Sequence, residues 1–234
     1  MDNNAIVLFS GGLDSTTVLY WAKSKYDLIL PVIIDYSQKH LVEVENAIKI
    51  SKINKLEYLL VKLPLKDILD SALLNSRWRI PESLKDSKDK RGVPQTYVPF
   101  RNGIFLSLVA GIAETRGIRT ILTGFNLIDT PDYPDTTEVF AKKMEAAINE
   151  GTTAFITGRK YEILSPLINK NKKEIIEFGI NHGADYSYSI SCYRGNEYPC
   201  MKCPSCEIRD EAFKKVGMED PLVRRLKMEK CDET

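Results

Sequence analysis

Short, wholly apolar runs alternate with longer segments of helical period along this chain, and few folds accommodate that alternation. Residues 5–9, AIVLF, carry no polar side chain and suit a strand buried on both faces. Residues 28–34 form a second such run, closed by Asp35, and residues 56–61, 120–124 and 161–165, less purely apolar, read as three more strands. Between them lie segments of helical spacing at 16–25, 41–52, 102–116, 138–149 and 172–182. In the second of these Leu41, Val44, Ala47 and Ile48 share a face; in the third, Ile104, Phe105, Leu108, Val109 and Ile112 do. Strands alternating with helices predict an α/β fold, a Rossmann-like parallel sheet with helices on both faces. The expected division is an α/β body at 1–185 and a small C-terminal helical segment at 186–234. A chain of 234 residues is long enough for one domain with such an appendage. Residues 82–91 hold seven charged side chains in ten and read as a mobile surface loop.

Charge and hydropathy narrow the class of partner. The chain has 33 basic and 32 acidic side chains, a net charge of +1, which gives no sign of a nucleic-acid partner. A small anionic ligand remains compatible with a local positive site. The first residues are polar and acidic, and the apolar run that follows is too short for a signal peptide. No stretch approaches the roughly 20 apolar residues of a membrane helix. The expectation is a cytoplasmic protein with no membrane partner.

In a sheet of this kind ligands bind beyond the carboxyl ends of the strands, and residues 8–15, LFSGGLDS, sit at such an end. Gly11 and Gly12 let the backbone turn tightly and bring its N–H groups up to a ligand. Ser15 and Thr16 add hydroxyl donors, and the following helix points its positive end at the same spot. This is the outline of a phosphate cradle. A Walker loop would need GxxxxGK[ST] and a dinucleotide fingerprint GxGxxG, and neither is present. A bare Gly-Gly turn is also an ordinary connection. The acidic Asp14 within the turn is what a plain connection does not require, and it is placed to position a magnesium ion or a water at the phosphates.

Four of five cysteines crowd the C-terminal end. Cys192, Cys200, Cys203 and Cys206 have the spacing C-x7-C-x2-C-x2-C. Four thiolates so spaced make a tetrahedral zinc site that closes a segment with little core of its own. Two disulfides are the bland alternative, which a cytoplasmic location argues against. A four-iron cluster takes the same ligands. Cys231 lies in the polar tail and is given no role.

SGG-x-DS after a first buried strand resembles the PP-loop of ATP pyrophosphatases, which split ATP between the α and β phosphates. With the cysteine run, the chain is similar to the 7-cyano-7-deazaguanine synthase (QueC) family over nearly its whole length. The resemblance rests on FSGGLDSTT (9–17), DYSQKH (35–40), YVPFRN (97–102), GFNLIDTPDYPD (124–135), PLINKNKKEI (166–175) and CEIRDEAF (206–213). Four places depart from the family's habit. Ser37 stands for glycine, Lys39 for arginine, Asp132 for glycine, and Thr136-Thr137 for Cys-Arg. The resemblance implies a carbon–nitrogen ligase that turns 7-carboxy-7-deazaguanine, ammonia and ATP into the nitrile. AMP and pyrophosphate leave. It further implies ATP entering with Mg²⁺, one Zn²⁺ per chain, and a homodimer.

The site residues follow. Phe9, Ser10, Gly11, Gly12, Leu13, Asp14, Ser15, Thr16, Thr17, Val18 and Leu19 form the ATP-binding stretch. Asp35, at the end of the second strand, reaches the ribose or adenine or is a turn residue. Asp14, Arg101 and Lys172 are the candidate catalytic groups. Arg101 and Asn102 open an apolar helix near the strand ends; capping explains Asn102 and not Arg101. Lys172 opens a helix, a poor place for a cation unless phosphates lie beside it. His40, Arg101, Asn102, Asn126, Asp129 and Asp135 are the candidate substrate contacts. Asn126, Asp129 and Asp135 suit the amide and amino edges of a deazaguanine, or are surface-loop residues. His40 is equally a plain residue at a helix start. Three rival functions remain open at this point. One is a PP-loop enzyme acting on tRNA. Another is a family relative that stops at the amide or joins the activated base to another amine. The third is a non-enzymatic zinc module.

Overall fold

The computed structural model describes residues 3–38, 41–75, 77, 79–83, 87–126, 133–196 and 198–232. Five strands form one sheet: β1 (Asn4–Leu8), β2 (Leu28–Asp35), β3 (Leu59–Lys62), β4 (Thr120–Leu122) and β5 (Glu162–Leu164). Their order is β3-β2-β1-β4-β5 and every pair is parallel. The helices are α1 (Leu13–Lys23), α2 (Leu41–Ile53), α3 (Arg101–Arg116), α4 (Glu138–Gly151), α5 (Ala154–Thr157), α6 (Lys172–Asn181), α7 (Pro204–Val216) and α8 (Pro221–Asp232).

The period of the strands divides the core in two. Ile6, Leu30, Val32, Ile34 and Ile121 face one side, against Phe105, Leu106 and Val109 of α3 and Ala141 and Ile148 of α4. Ala5, Val7, Ile29, Ile33 and Leu122 face the other, against α1, α2, α6 and α7. Each fully buried Val, Leu or Ile contributes roughly 1.5–3 kcal/mol, so a one-residue slip of β1 would exchange both layers at once. Pro31 stands within β2, where a ladder hydrogen bond is lost. Phe9 N donates to Val32 O at 2.9 Å, so Val32 turns its polar groups towards β1 and Pro31 turns away. On that other side β3 pairs only from Val32 onward, and no partner is missed.

Several boundaries differ from the sequence expectation by a few residues, and two of them bear on the glycine loop. Helix α1 begins at Leu13, not at residue 16. Gly12 already holds the extended conformation of an N-cap (φ −77°, ψ 173°), and buried Leu13 anchors the first turn. Asp14 and Ser15 therefore lie in the first turn of the helix rather than in the loop. Strand β4 ends at Leu122, two residues early, because the chain must bend at Gly124 to approach that same helix start. No helix among the described residues is long and apolar enough to cross a membrane.

The C-terminal helices carry a third, small core of Ile190, Cys192, Cys203, Cys206, Leu222 and Leu226. Buried Asp220 sets its geometry. Its carboxylate takes Arg209 Nε at 2.6 Å and Nη2 at 2.9 Å, and also caps α8 by accepting from Leu222 N at 3.0 Å. Removing one partner of such a buried pair costs about 3–5 kcal/mol.

After β2, Ser37 is left-handed with φ 61°. A side chain there costs roughly 1–2 kcal/mol, part of which a glycine returns as freedom of the unfolded chain. Ser37→Gly is therefore expected to stabilise the protein by about 0.5–1 kcal/mol. That is a rise of about 1–4 °C in melting temperature for a chain this size. A fall in thermal denaturation would show that the serine hydroxyl outweighs the strain.

Candidate active site and metal centre

The order 3-2-1-4-5 makes the chain leave β1 on one side and return on the other, which opens a crevice between the carboxyl ends of β1 and β4. The glycine loop fills the β1 side of it. Gly11 has φ 79°, and a Cβ there would meet Ala47 N at 2.9 Å and Glu43 O at 3.0 Å, so only glycine lets the loop lie against α2. Gly124 does the same from β4: a Cβ would meet Ser15 N at 3.1 Å and Asp14 C at 3.2 Å. Within the loop the hydroxyls serve the backbone at long distances. Ser10 Oγ lies 3.1 Å from Ser15 Oγ and accepts from Gly12 N at 3.3 Å, while Ser10 N donates to Ser15 Oγ at 3.3 Å. Bonds of that length are weak and are readily exchanged for phosphate oxygens. The N-cap residue Gly12 has no side chain to cap α1, so the positive end of the helix faces the crevice.

Lys172 meets the loop from α6. A capping box, in which Asn171 Oδ1 accepts from Glu174 N at 3.0 Å and Glu174 Oε2 accepts from Asn171 N at 2.8 Å, fixes that helix start. Lys172 Nζ then reaches Asp14 Oδ2 at 2.8 Å and Oδ1 at 3.1 Å. The two candidates are 158 residues apart in the chain and form one partly exposed ion pair beside the glycines.

A cavity of about 320 Å³ runs from this pair across the crevice. Phe9, Ser10, Gly12, Leu13, Asp14, Ser15, Lys172, Arg101, Asn102 and Asn126 all line it. Arg101 opens α3 behind Phe100, which is left-handed at φ 52°. Its Nη1 donates to Tyr36 Oη at 3.1 Å and its guanidinium lies over the Tyr36 and Phe105 rings. Burial works against the Arg101 charge, and Tyr36, Asp135 and Glu43 outweigh it, so the guanidinium stays protonated. Tyr193 completes the wall; burial raises its hydroxyl well above the ordinary phenol range.

Other predicted residues sit apart from the cavity wall. Asp135 is buried and its Oδ2 accepts from Asn102 N at 3.0 Å, which caps α3 and holds Arg101 in place. Asp35 Oδ1 accepts from Ser37 N at 3.0 Å and shapes the turn after β2. Thr17 donates to Leu13 O at 3.0 Å and shares a 2.6 Å bond with Tyr186 Oη. Thr16 is buried, and its hydroxyl has no hydrogen-bond partner among the described residues. Val18 and Leu19 are wholly buried in the core against the sheet. His40 and Asp129 lie outside the described residues, as do Lys39 and Asp132. Of the altered pair, Thr136 lines the cavity, and Thr137 is the N-cap of α4, accepting from Phe140 N at 3.0 Å.

The four cysteine sulfurs all lie within 4.8 Å of one another, and all four thiols are free. Backbone N–H groups point at them, among them Cys200 N to Cys192 Sγ and Cys203 N to Cys200 Sγ, each at 3.3 Å. Hydrogen bonds from the Cys203 and Cys206 thiols hold Cys192 far below the usual thiol range; the same sharing pushes Cys203 up to about 11. A metal ion bound here would displace the protons that these thiols share. The donor set fits a tetrahedral metal ion.

The metal centre and the glycine loop are joined. Ile190 N donates to Gly11 O at 3.1 Å, and Leu13 N donates to Ser191 Oγ at 3.4 Å, one residue before Cys192. Arg209 Nη1 donates to Ser189 Oγ at 2.8 Å and Ser191 Oγ at 3.4 Å. Gly124, Tyr36, Glu43, Ser191, Tyr193 and Arg209 were not among the predicted site residues, although Gly124, Tyr36 and Arg209 stand in motifs already singled out.

A parallel sheet whose first strand ends in SGGLDS, with a four-cysteine centre tied to that loop, defines an α/β protein of the PP-loop type. Residues 4–217 match the family model described as queuosine biosynthesis protein QueC. The 7-cyano-7-deazaguanine synthase of Pseudomonas syringae pv. tomato (strain ATCC BAA-871 / DC3000) is 38% identical over 223 residues, 94% of this chain and 96% of that one. That of Pseudomonas putida (strain W619) is 37% identical over 223 residues, 94% of this chain and 97% of that one. Among solved structures, a 4-thiouridine synthetase in complex with RNA and ATP is 20% identical at a TM-score of 0.49, over 92% of this chain and 50% of that one. The chain belongs to the QueC family of queuosine biosynthesis enzymes.

Proposed function

We propose that this protein converts 7-carboxy-7-deazaguanine and ammonia into 7-cyano-7-deazaguanine at the expense of ATP, releasing AMP and pyrophosphate. The observation that carries this reading is the single cavity in which the PP-loop, the Asp14–Lys172 pair and Arg101 meet. A carboxylate is a poor electrophile and its oxygen a poor leaving group, and transfer of AMP to that oxygen removes both faults. The loop N–H groups and Lys172 hold the phosphates and neutralise charge as pyrophosphate departs. Asp14 is the carboxylate placed to receive the Mg²⁺ that enters with ATP, and Arg101 holds the acyl oxygens. Asn126 reads the base edge, as do His40 and Asp129 in this assignment. Ammonia gives the amide, and a second adenylation of the amide oxygen gives the nitrile. Cys192, Cys200, Cys203 and Cys206 hold one Zn²⁺ per chain, which supplies structural closure of residues 186–234 onto the ATP-binding body at 1–185. The enzyme works as a cytoplasmic homodimer on small molecules rather than on nucleic acid.

Each oxygen removed needs its own activation, so complete turnover is expected to release two AMP per nitrile, with the amide as an intermediate. The amide supplied directly is expected to need one ATP. Mass spectrometry of the products with parallel AMP assay checks this. Thr136 favours a second reading, because it lines the cavity where the family habitually carries cysteine. An amide that accumulates and is never consumed would replace the first reading by an enzyme that stops there or passes the acyl group to another amine.

A further inference from the structure

The cavity contains a carboxylate, Glu43, that the proposed reaction does not use. Glu43 is the third residue of α2, and its carbonyl abuts Gly11 of the loop. Its side chain lines the cavity, and it has no hydrogen-bond or ion-pair partner among the described residues. The groups around it are Arg101 from α3, Tyr36 from the end of β2, and Cys192 and Tyr193 from the C-terminal segment. Arg101 is the opposite charge in the same cavity, yet its guanidinium meets the Tyr36 hydroxyl and two aromatic rings. A guanidinium and a carboxylate that share a cavity without pairing leave room between them. The ligand that suits such a gap is negative towards Arg101 and positive towards Glu43. Burial pushes the Glu43 carboxyl up to about 7; Arg101 draws it down and Cys192 adds a smaller push. An acid matched to neutral pH both accepts and releases a proton readily.

We propose that Glu43 binds the ammonium ion and takes its proton, delivering neutral ammonia to the acyl carbon held at Arg101. The inference rests on the proposed function and names the base within it. One N–H bond of ammonium breaks and its proton passes to a Glu43 oxygen. The freed nitrogen lone pair forms the C–N bond at the acyl adenylate. The C–O bond to the phosphate then breaks, and AMP leaves with that electron pair. The second surplus proton on nitrogen goes to water, and Glu43 later returns its own to solvent.

The test uses the full-length protein with 7-carboxy-7-deazaguanine and ATP, comparing ammonium with hydroxylamine, an amine that is largely free base at neutral pH. In Glu43→Gln, amide formation from ammonium is expected to fall by about 10²-fold or more, with a raised KM for ammonium. Hydroxamate formation from hydroxylamine is expected to stay close to the parent. The parent's ammonium reaction is expected to lose rate as pH falls through about 7, where Glu43 gains its proton, and the variant to lack that inflection. Glu43→Asp keeps the charge and is expected to retain part of the ammonium reaction, which carries the test should the glutamine variant fail to fold. Equal loss with both nucleophiles would mean that Glu43 only positions Arg101, and an unchanged ammonium reaction would remove it from the chemistry; either result overturns the inference. A parent that forms neither amide nor hydroxamate sinks the proposed function instead.

Discussion

Asp14→Asn is expected to cut AMP release by roughly 10²–10³-fold, the usual size of losing one preorganised electrostatic contact at a reacting group. Its melting temperature should scarcely move. The Asp14–Lys172 pair is partly exposed, at 29% and 19% for the two side chains, and pairs of that kind contribute about 1 kcal/mol or less. For a chain of this size that is a shift of about 2–4 °C at most. Asparagine keeps the shape and one acceptor but loses the charge that faces Lys172. The contrast between a large kinetic loss and a small thermal one separates a reacting role from a structural one. AMP and pyrophosphate made at the parent rate would remove Asp14 from the mechanism. ADP as the parent's product would remove the PP-loop chemistry altogether.

Cys203→Ser is expected to act in the opposite proportion. Cys203 is fully buried in a core of six residues that contains three of the four thiols. So small a core cannot hold α7 and α8 alone, and metal binding there is coupled to folding. Metal content is expected to drop from about one ion per chain, the four-ligand tetrahedral count, to nearly none. Loss of a structural metal belongs to the class of effects above about 4 kcal/mol, a fall on the order of 10 °C. ATP affinity should fall with it, because Ile190 and Ser191 hold the loop from the segment that carries Cys192. Elemental analysis and thermal denaturation check both halves. Iron in the purified protein would overturn the zinc assignment, and full stability without metal would overturn the coupling.

The α/β fold was legible because its evidence is local. The unbroken apolar runs of β1 and β2 and the apolar face of α3 are written in nearby residues, and the structure places all five strands and five long helices where they are expected within a few residues. Helices α7 and α8 were harder to delimit. In α8 only Leu222 and Leu226 are buried among the described side chains, and charged residues fill most of the rest, so no long apolar stripe marks its extent. The site was legible where chemistry compresses into a motif, as in SGGLDS and the cysteine spacing. It was not legible where function depends on distant contacts. Nothing near Glu43 tells a reader that Arg101 lies across a cavity from it. Asp135 shows the converse. Its type suited a base edge, while its place in the fold is the N-terminus of α3.

Leu13 N and Ser191 Oγ are 178 positions apart, and Gly11 O is likewise held by Ile190 N. Protein synthesis runs in one direction, so the glycine loop emerges from the ribosome long before the residues that brace it. A nascent chain that has passed β5 owns a complete parallel sheet and all of its phosphate-facing glycines. It still lacks Ser191, the cysteines and the Arg209–Asp220 clamp. The loop therefore cannot make these two bonds until translation has passed Ser191. A chain cut before Ile190 would carry the glycine motif without the two bonds that brace it.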